Sequence, residues 1–454
     1  MVALLLSAIS GALLSAAFEP VGKWWVAPIA LAAHMYALSL TDRKVLSTFV
    51  FASTLNLIVL HWSSTFVGSV PWLILALGLS VFYLPLSLVS RWEMTSYPLI
   101  YILLEEVRNR FPFGGFGWVR LAYTQADAPF SKIAAIGGAS ALSALTVLLG
   151  AILYYATRRK FSLLTLVPFL SLLIPVNIST FATTNVLMIQ GDVPQMGLDF
   201  NSRAKAVFNN HLEKTESELR KDSNVDFVLW PENSVDVDPF QNSDVNKSLN
   251  SINKPLIIGA IVEKGDSILN TSIFWGGELP PIYVKQHLTP FGEYMPLRSL
   301  ASLISPYTDR VKDFEPGQSQ VFFKVKEAVI APVICFELVD DELLHKAAIS
   351  SNILAVQTNS ATFGMSAESA QQLEMTRIRA IEHGRNIVSV STTGYSAVID
   401  AQGKVLQKTS MGTEDSIRAE VGLMQGQTPR DAAGDWALVA VLFGLMLVAR
   451  RAYT

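Results

Sequence analysis

Cys335 is the only thiol in 454 residues, and it closes the apolar run "AVIAPVICFE" (328–337) where the chain turns acidic. A thiol at such a strand end is a candidate nucleophile, although a lone cysteine is also an ordinary core residue. Two other strand ends carry the partners a thiol needs. Glu232 follows Trp-Pro in "LWPENS" at the end of an apolar run. A carboxylate there is costly to bury unless it is paired or used, so it reads either as a general base or as a helix cap or surface acid. Lys285, in "PPIYVKQHLTPFGEYMP", reads either as a surface lysine or as the cation that steadies a tetrahedral oxyanion and favours thiolate. Base, cation and nucleophile together suffice for covalent acyl transfer. One cysteine excludes an intramolecular disulfide, and six scattered histidines lack the short spacings of a zinc site. No metal and no cofactor are expected.

These side chains need a scaffold. Between residues 180 and 430 the chain is polar and alternates helical patterns with short β-branched runs, "TTNVLMIQGDV", "VDFVLWPE" (225–232), "KPLIIGAIV" (254–262), "AVIAPVICFE", "ILAVQTNS" (353–360) and "NIVSVSTTG" (386–394). Helices are expected over 202–222 and 368–385, the second ending at Gly384. This alternation predicts an α/β domain whose strand-end polar residues converge.

The rest of the chain is apolar. Half of all residues are hydrophobic and mean hydropathy is +0.36, which indicates a membrane protein. Net charge −3 and pI about 6.1 give no sign of a nucleic-acid surface. Seven apolar stretches lie near 2–18, 24–40, 46–66, 70–90, 95–107, 132–156 and 161–178, defining a transmembrane domain over 1–178; an eighth stretch (435–449) is a C-terminal span. The first is read as a span and not a signal peptide, because it lacks a basic leader and a second follows at once. Cations at "TDRK" (41–44), Arg91, "RRK" (158–160), Arg450 and Arg451 mark the cytoplasmic side, which sends the 180–430 domain outside. Arg108, Arg110 and Arg120 in the outer loop 106–131 run against that count, with Glu105 and Glu106 beside them. Of the polar residues in the spans, Glu19, His34 and His61 are expected at the interface or inside the bundle.

"WPEN", "KQHLTPFGEYMP" and "VICFE" resemble the Glu-Lys-Cys triad of the nitrilase or carbon–nitrogen hydrolase superfamily. Set between N-terminal spans and a C-terminal one, and with "FEPVGKWW", "GGFGWVRLAYTQAD" and "TPRDAAGDW", the chain resembles the bacterial apolipoprotein N-acyltransferase family over nearly its whole length. The resemblance implies a polytopic α-helical membrane domain plus an α/β nitrilase-like αββα sandwich on the outer, periplasmic or extracytoplasmic face of the bacterial cytoplasmic (inner) membrane. It carries over Glu232, Lys285 and Cys335 as the triad, with Glu293 and Glu337 as further acids that position the lysine and thiol or share the proton load. Phe336 stands where tyrosine is common. In "NSATFG", Ser360 and Thr362 stand where the family often has Asp and Trp, which concerns the substrate loop and not the triad.

The activity implied is the last step of lipoprotein maturation. A fatty acyl chain moves from a membrane phospholipid through a Cys335 thioester to the α-amine of the diacylglyceryl-modified N-terminal cysteine of an apolipoprotein. The phospholipid is a substrate and the enzyme works as a monomer in the bilayer, with "YMPLRSLASLISPY" (294–307) as an interfacial cover or an ordinary surface segment. Two rivals use the same residues differently: a membrane-tethered nitrilase-type amidase acting on a small amide, and a transport or scaffold protein whose α/β domain only binds.

Overall fold

The computed structural model describes residues 1–89, 94–159, 170–193, 205–265, 267–277, 279–296, 298–301 and 313–434, with scattered positions beyond. The turn at Arg91, residues 161–169 of the 161–178 stretch, most of the 435–449 span, Arg450, Arg451 and residues 297 and 302–307 of the 294–307 cover lie outside the described residues. The chain divides into two compact units, Met1–Asn177 with Thr428–Thr454, and Ile178–Gln427.

The first unit is helical: α1 (Val2–Ser15), α2 (Val26–Ser39), α3 (Lys44–Val59), α4 (Ser69–Val81), α5 (Tyr97–Arg108) and α6 (Ile133–Thr157). Two helical runs among the described residues, Ser69–Leu88 and Ile133–Thr157, are long and apolar enough to cross a membrane; α1, α2 and α3 are apolar but shorter. At 1.5 Å per residue a 14-residue helix reaches only about 21 Å of the roughly 30 Å hydrocarbon layer. Exposed large hydrophobics nevertheless recur along one face of these helices, Leu5, Ile9 and Leu13 on α1 and Val70, Ile74, Leu77 and Val81 on α4.

The interior of this unit holds charge that the apolar pattern had not indicated. Glu105, Glu106, Arg108 and Arg120 are all buried. Arg120 meets Glu106 at 2.7 Å, Ser140 donates to the same Glu106 oxygen at 2.5 Å, and the backbone of Leu121 donates to Glu105 at 2.7 Å. Arg108 donates to Tyr83 at 2.7 Å. His34 is buried against the Tyr97 hydroxyl at 2.8 Å, whereas His61 is exposed beside Trp72. The arginines that seemed discordant in an outer loop therefore include two interior ones, Arg120 ion-paired to Glu106 and Arg108 hydrogen-bonded to Tyr83, since a buried charge without such partners would be far too costly.

The second unit is built from β1 (Ile178–Gln190), α7 (Ala206–Lys221), β2 (Phe227–Leu229), α8 (Ser243–Ser251), β3 (Leu256–Lys264), β4 (Ser267–Trp275), β5 (Ile282–Val284), β6 (Phe323–Val325), β7 (Ala328–Ile334), α9 (Asp341–Ile349), β8 (Ile353–Thr358), α10 (Ala367–His383), β9 (Ile387–Ser391), β10 (Ala397–Ile399), β11 (Val405–Lys408) and β12 (Asp415–Gly426). They form two six-stranded sheets, ordered β12-β1-β2-β3-β4-β5 and β11-β10-β9-β8-β7-β6. Each has three parallel strands at its centre, β1, β2 and β3 in one, β7, β8 and β9 in the other.

Side-chain alternation assigns the layers. On β1, Val186 and Met188 face the other sheet while Leu187 and Ile189 face the helices; Phe227 and Leu229 on β2 repeat this against Val228 and Trp230. The inter-sheet core joins them to Ile330 and Ile334 of β7 and Ala355 of β8. Outside, Phe208 of α7 with Val245 and Leu249 of α8 cover the first sheet, and Leu344 of α9 with Leu373 of α10 cover the second. The order is helix, sheet, sheet, helix. Both faces of the central strands are buried over their inner residues, such as Val186–Gln190 of β1 and Leu256–Ala260 of β3, hence the apolar runs there.

Local signals agree with this frame. Asn242, Asp340 and Ser366 cap α8, α9 and α10 by accepting backbone N–H bonds, and Gly384 ends α10 in the left-handed region at φ 57°.

Candidate active site

Three strands of the two sheets end at one place. Glu232 lies three residues beyond β2, Lys285 directly follows β5, and Cys335 directly follows β7. The first of these approaches depends on a missing side chain. A Cβ on Gly259 would lie 2.2 Å from the Pro231 carbonyl and 2.6 Å from Glu232 Cα, so only glycine lets the Glu232 backbone cross β3 there. Cys335 has φ 49°, an uncommon conformation for a side-chain-bearing residue, at the corner where β7 passes into the 3₁₀ turn Cys335–Val339. Glu337 holds that corner by accepting the Ile334 N–H at 2.7 Å.

Lys285 is buried to 1% exposure between two carboxylates, 3.3 Å from Glu232 Oε1 and 2.7 Å from Glu293 Oε2. The Asn270 amide, from β4, donates to Glu232 at 2.8 Å and to Glu293 at 2.6 Å, and the Thr289 N–H donates to Glu293 at 2.7 Å. Burial opposes the ammonium, but the charges of Glu232, Glu293 and the nearby Cys335 outweigh it and hold Lys285 above the ordinary lysine pKa. The carboxylates then diverge. Burial raises Glu232, assisted by the charge of Glu293 against the pull of Lys285. Glu293 goes the other way: Lys285 and the Thr289 and Asn270 donors overcome burial and keep it below the usual range. Glu232 is thus the better proton acceptor and Glu293 the permanent counter-ion.

The thiol is half-buried, and the Gln372 amide of α10 donates to Sγ at 3.5 Å. Burial first, then the charge of Glu232, lifts its pKa well above that of an ordinary cysteine, with Lys285 pulling it down. The resting group is a thiol that needs a base.

Glu337 lies near enough to Lys285 to feel its charge, but its hydrogen bonds go elsewhere. Besides Ile334, it accepts from the Tyr283 hydroxyl at 2.8 Å and the Gln286 N–H at 2.7 Å, tying the corner of β7 to the loop that follows Lys285. Burial raises it to about 7 despite the Ile334 and Gln286 bonds. Phe336 is buried with its ring edge against His287 (centroids 5.4 Å), and His287 Nδ1 bonds Asp340, the cap of α9, at 2.8 Å. Asn270, Gln372 and a further buried carboxyl, Glu368, were not singled out from sequence. The available signal was polarity inside otherwise apolar patterns, Asn270 in "SILNTSIFW" and Glu368 and Gln372 four residues apart on α10. Ser360, the departure noted above, is buried and hydrogen-bonds Glu368.

Residues 193–431, which hold this buried Glu-Lys pair and the thiol in a helix-sheet-sheet-helix fold, match the Carbon-nitrogen hydrolase family. Residues 10–152 match the Apolipoprotein N-acyltransferase N-terminal domain. The chain is 31% identical to the Apolipoprotein N-acyltransferase of Mycolicibacterium smegmatis, covering 93% of this chain and 80% of that protein. It is 28% identical to the protein of that name from Haemophilus ducreyi (98% and 97% covered) and 27% identical to that from Haemophilus influenzae (98% and 94%). The chain belongs to the apolipoprotein N-acyltransferase family and is an acyltransferase.

Proposed function

We propose that Cys335 is the acyl carrier, Glu232 the general base and Lys285 the oxyanion partner in transfer of a fatty acyl chain from a membrane phospholipid to the α-amine of a diacylglyceryl-modified apolipoprotein cysteine. The observation that carries this reading is the Lys285 ammonium held between Glu232 and Glu293 at the strand ends where Cys335 lies. In the first half-reaction Glu232 takes the Cys335 proton as sulfur attacks the ester carbonyl. The S–C bond forms, Lys285 faces the developing oxyanion, the ester C–O bond breaks, and Glu232 returns the proton to the departing lysophospholipid alkoxide. In the second, the amine attacks the thioester, the N–C bond forms and the C–S bond breaks, with Glu232 carrying a proton from nitrogen to sulfur. The chain needs no cofactor for either half.

We read the helical unit as a polytopic membrane domain in the bacterial cytoplasmic membrane. Its long apolar runs support this, as do exposed apolar faces such as that of α1, which water would oppose and lipid would not. The cationic loops favour a catalytic unit on the outer face. Protection of the thioester from water favours transfer over hydrolysis.

Mass spectrometry of the detergent-purified protein, incubated with phospholipid and no acceptor, tests this. A hydroxylamine-labile fatty-acyl mass on the Cys335 peptide is expected. An unmodified Cys335 in a protein that releases ammonia from small amides would establish the amidase alternative instead.

A further inference from the structure

The two half-reactions differ by one proton. In acylation, the proton that leaves the thiol goes to the departing alkoxide, so none is left over. In transfer, the acceptor arrives as an α-ammonium, since free α-amino groups titrate near about 7.7–8.0. It must lose one proton before nitrogen can attack and a second as the amide forms. The second returns to sulfur through Glu232, and the first needs another base.

Glu368 is the group placed to take it. It lies in the first turn of α10, 1% exposed, one helical turn before Gln372, whose amide reaches Cys335 Sγ at 3.5 Å. Residues four apart share a helix face, so Glu368 and Gln372 present themselves on the same side. Ser360 donates to the carboxyl, while Glu368 Oε2 is buried with no hydrogen-bond partner. A buried carboxyl oxygen without a partner is unfavourable, so it calls for a ligand that can donate. Lys285 is already engaged by Glu232 and Glu293.

We propose that Glu368 is a second catalytic carboxyl, which receives the acceptor's α-ammonium through Oε2 and takes the proton that frees the amine to attack the Cys335 thioester. The inference rests on the thioester reading above. Atoms balance: the N–H bond of the ammonium breaks, an O–H bond forms on Glu368, and that proton leaves to water before the next turnover. Burial, with the charge of Glu232 adding to it and the Ser360 bond opposing it, lifts Glu368 to about 8. That matches the α-ammonium, so at a pH near 8, where the carboxylate is populated, the proton passes between them at little cost.

The test separates the half-reactions in the full-length protein in detergent. Wild-type and Glu368→Gln proteins are acylated with phospholipid, then mixed either with a synthetic peptide bearing an S-diacylglyceryl N-terminal cysteine or with hydroxylamine, which is already unprotonated at neutral pH. Expected is a loss of about 100-fold in transfer to the peptide amine, with far smaller changes in acylation and in release by hydroxylamine. Glu368→Asp, which keeps a carboxyl, should recover part of the amine transfer and serves if the Gln variant does not fold. Equal slowing of peptide and hydroxylamine release, or unchanged peptide transfer, overturns the proposal. Failure of the wild-type protein to acylate Cys335 would instead overturn the thioester reading.

Discussion

At the scale of single residues, the site works by setting apart groups of the same kind. Glu232 and Glu293 both touch Lys285, yet only Glu232 is raised, because Glu293 has Thr289 and the shorter lysine contact. Cys335→Ala should abolish acyl-enzyme and transfer while leaving the protein in the membrane and its melting profile nearly unchanged; residual transfer at wild-type rate would remove the thiol from its role. Lys285→Ala should lower acyl-enzyme formation by about 100- to 1000-fold, the usual effect of losing an oxyanion donor. It should also destabilise the catalytic unit by about 3–5 kcal/mol, because two buried carboxylates lose their partner. Rapid-quench acylation and denaturant unfolding measure the two effects separately. As the proposed base, Glu232 must be ionised to accept the thiol proton, and burial holds its pKa high, so acylation should fall on acidification at a pH above that of an ordinary glutamate. A pH profile of the acylation rate checks it, and a limb at or below the ordinary carboxylate range would count against Glu232 as base.

At the scale of elements, the strand ends are held by contacts that carry no chemistry. Gly259 lets β3 run beneath Glu232, and Glu337 bonds the end of β7 to the loop after β5. Gly259→Ala should cost about 1–3 kcal/mol, as overpacking does. It should also reduce the acylation rate by more than the stability loss alone explains, since the displaced backbone is that of Glu232 itself. A variant that is destabilised but acylates normally when folded would show that the Glu232 backbone tolerates the shift.

At the scale of the whole molecule, two units carry different burdens of buried charge. In the helical unit, Glu106→Ala would remove the carboxylate that buried Arg120 meets at 2.7 Å. The expected loss is about 3–5 kcal/mol, seen as a lower melting temperature in detergent. In the catalytic unit, Glu337 and Glu368 are raised to about 7 and about 8. Raised carboxyls favour the folded state while protonated, so their contribution is complete below the unfolded pKa of about 4.3 and is lost as pH rises through 7 and 8. Glu368→Gln should therefore gain stability relative to wild type by on the order of 1 kcal/mol per pH unit between about 4.5 and 8, with no further gain above. Melting temperatures of the two proteins across that range test the sign.

Much of the catalytic unit was legible in the residues themselves. The central strands are buried on both faces over their inner residues, so β1, β2, β3, β7, β8 and β9 read as apolar runs, and Gly384 marks the end of α10 as capping chemistry requires. Glu232, Lys285 and Cys335 stood out because each is polar or reactive at the end of such a run. Strands β4, β6, β10, β11 and β12 did not stand out: they are short, or carry polar residues such as Asn270 whose partners come from other strands. The division of labour between Glu232 and Glu293, the tie made by Glu337, the partnerless oxygen of Glu368 and the interior pairing of Arg120 were decided by the tertiary structure alone. Pattern and local propensity report which side of a strand or helix faces the core. Burial, pairing and charge depend on which distant segments meet, and those contacts exist only once the sheets and helices have packed.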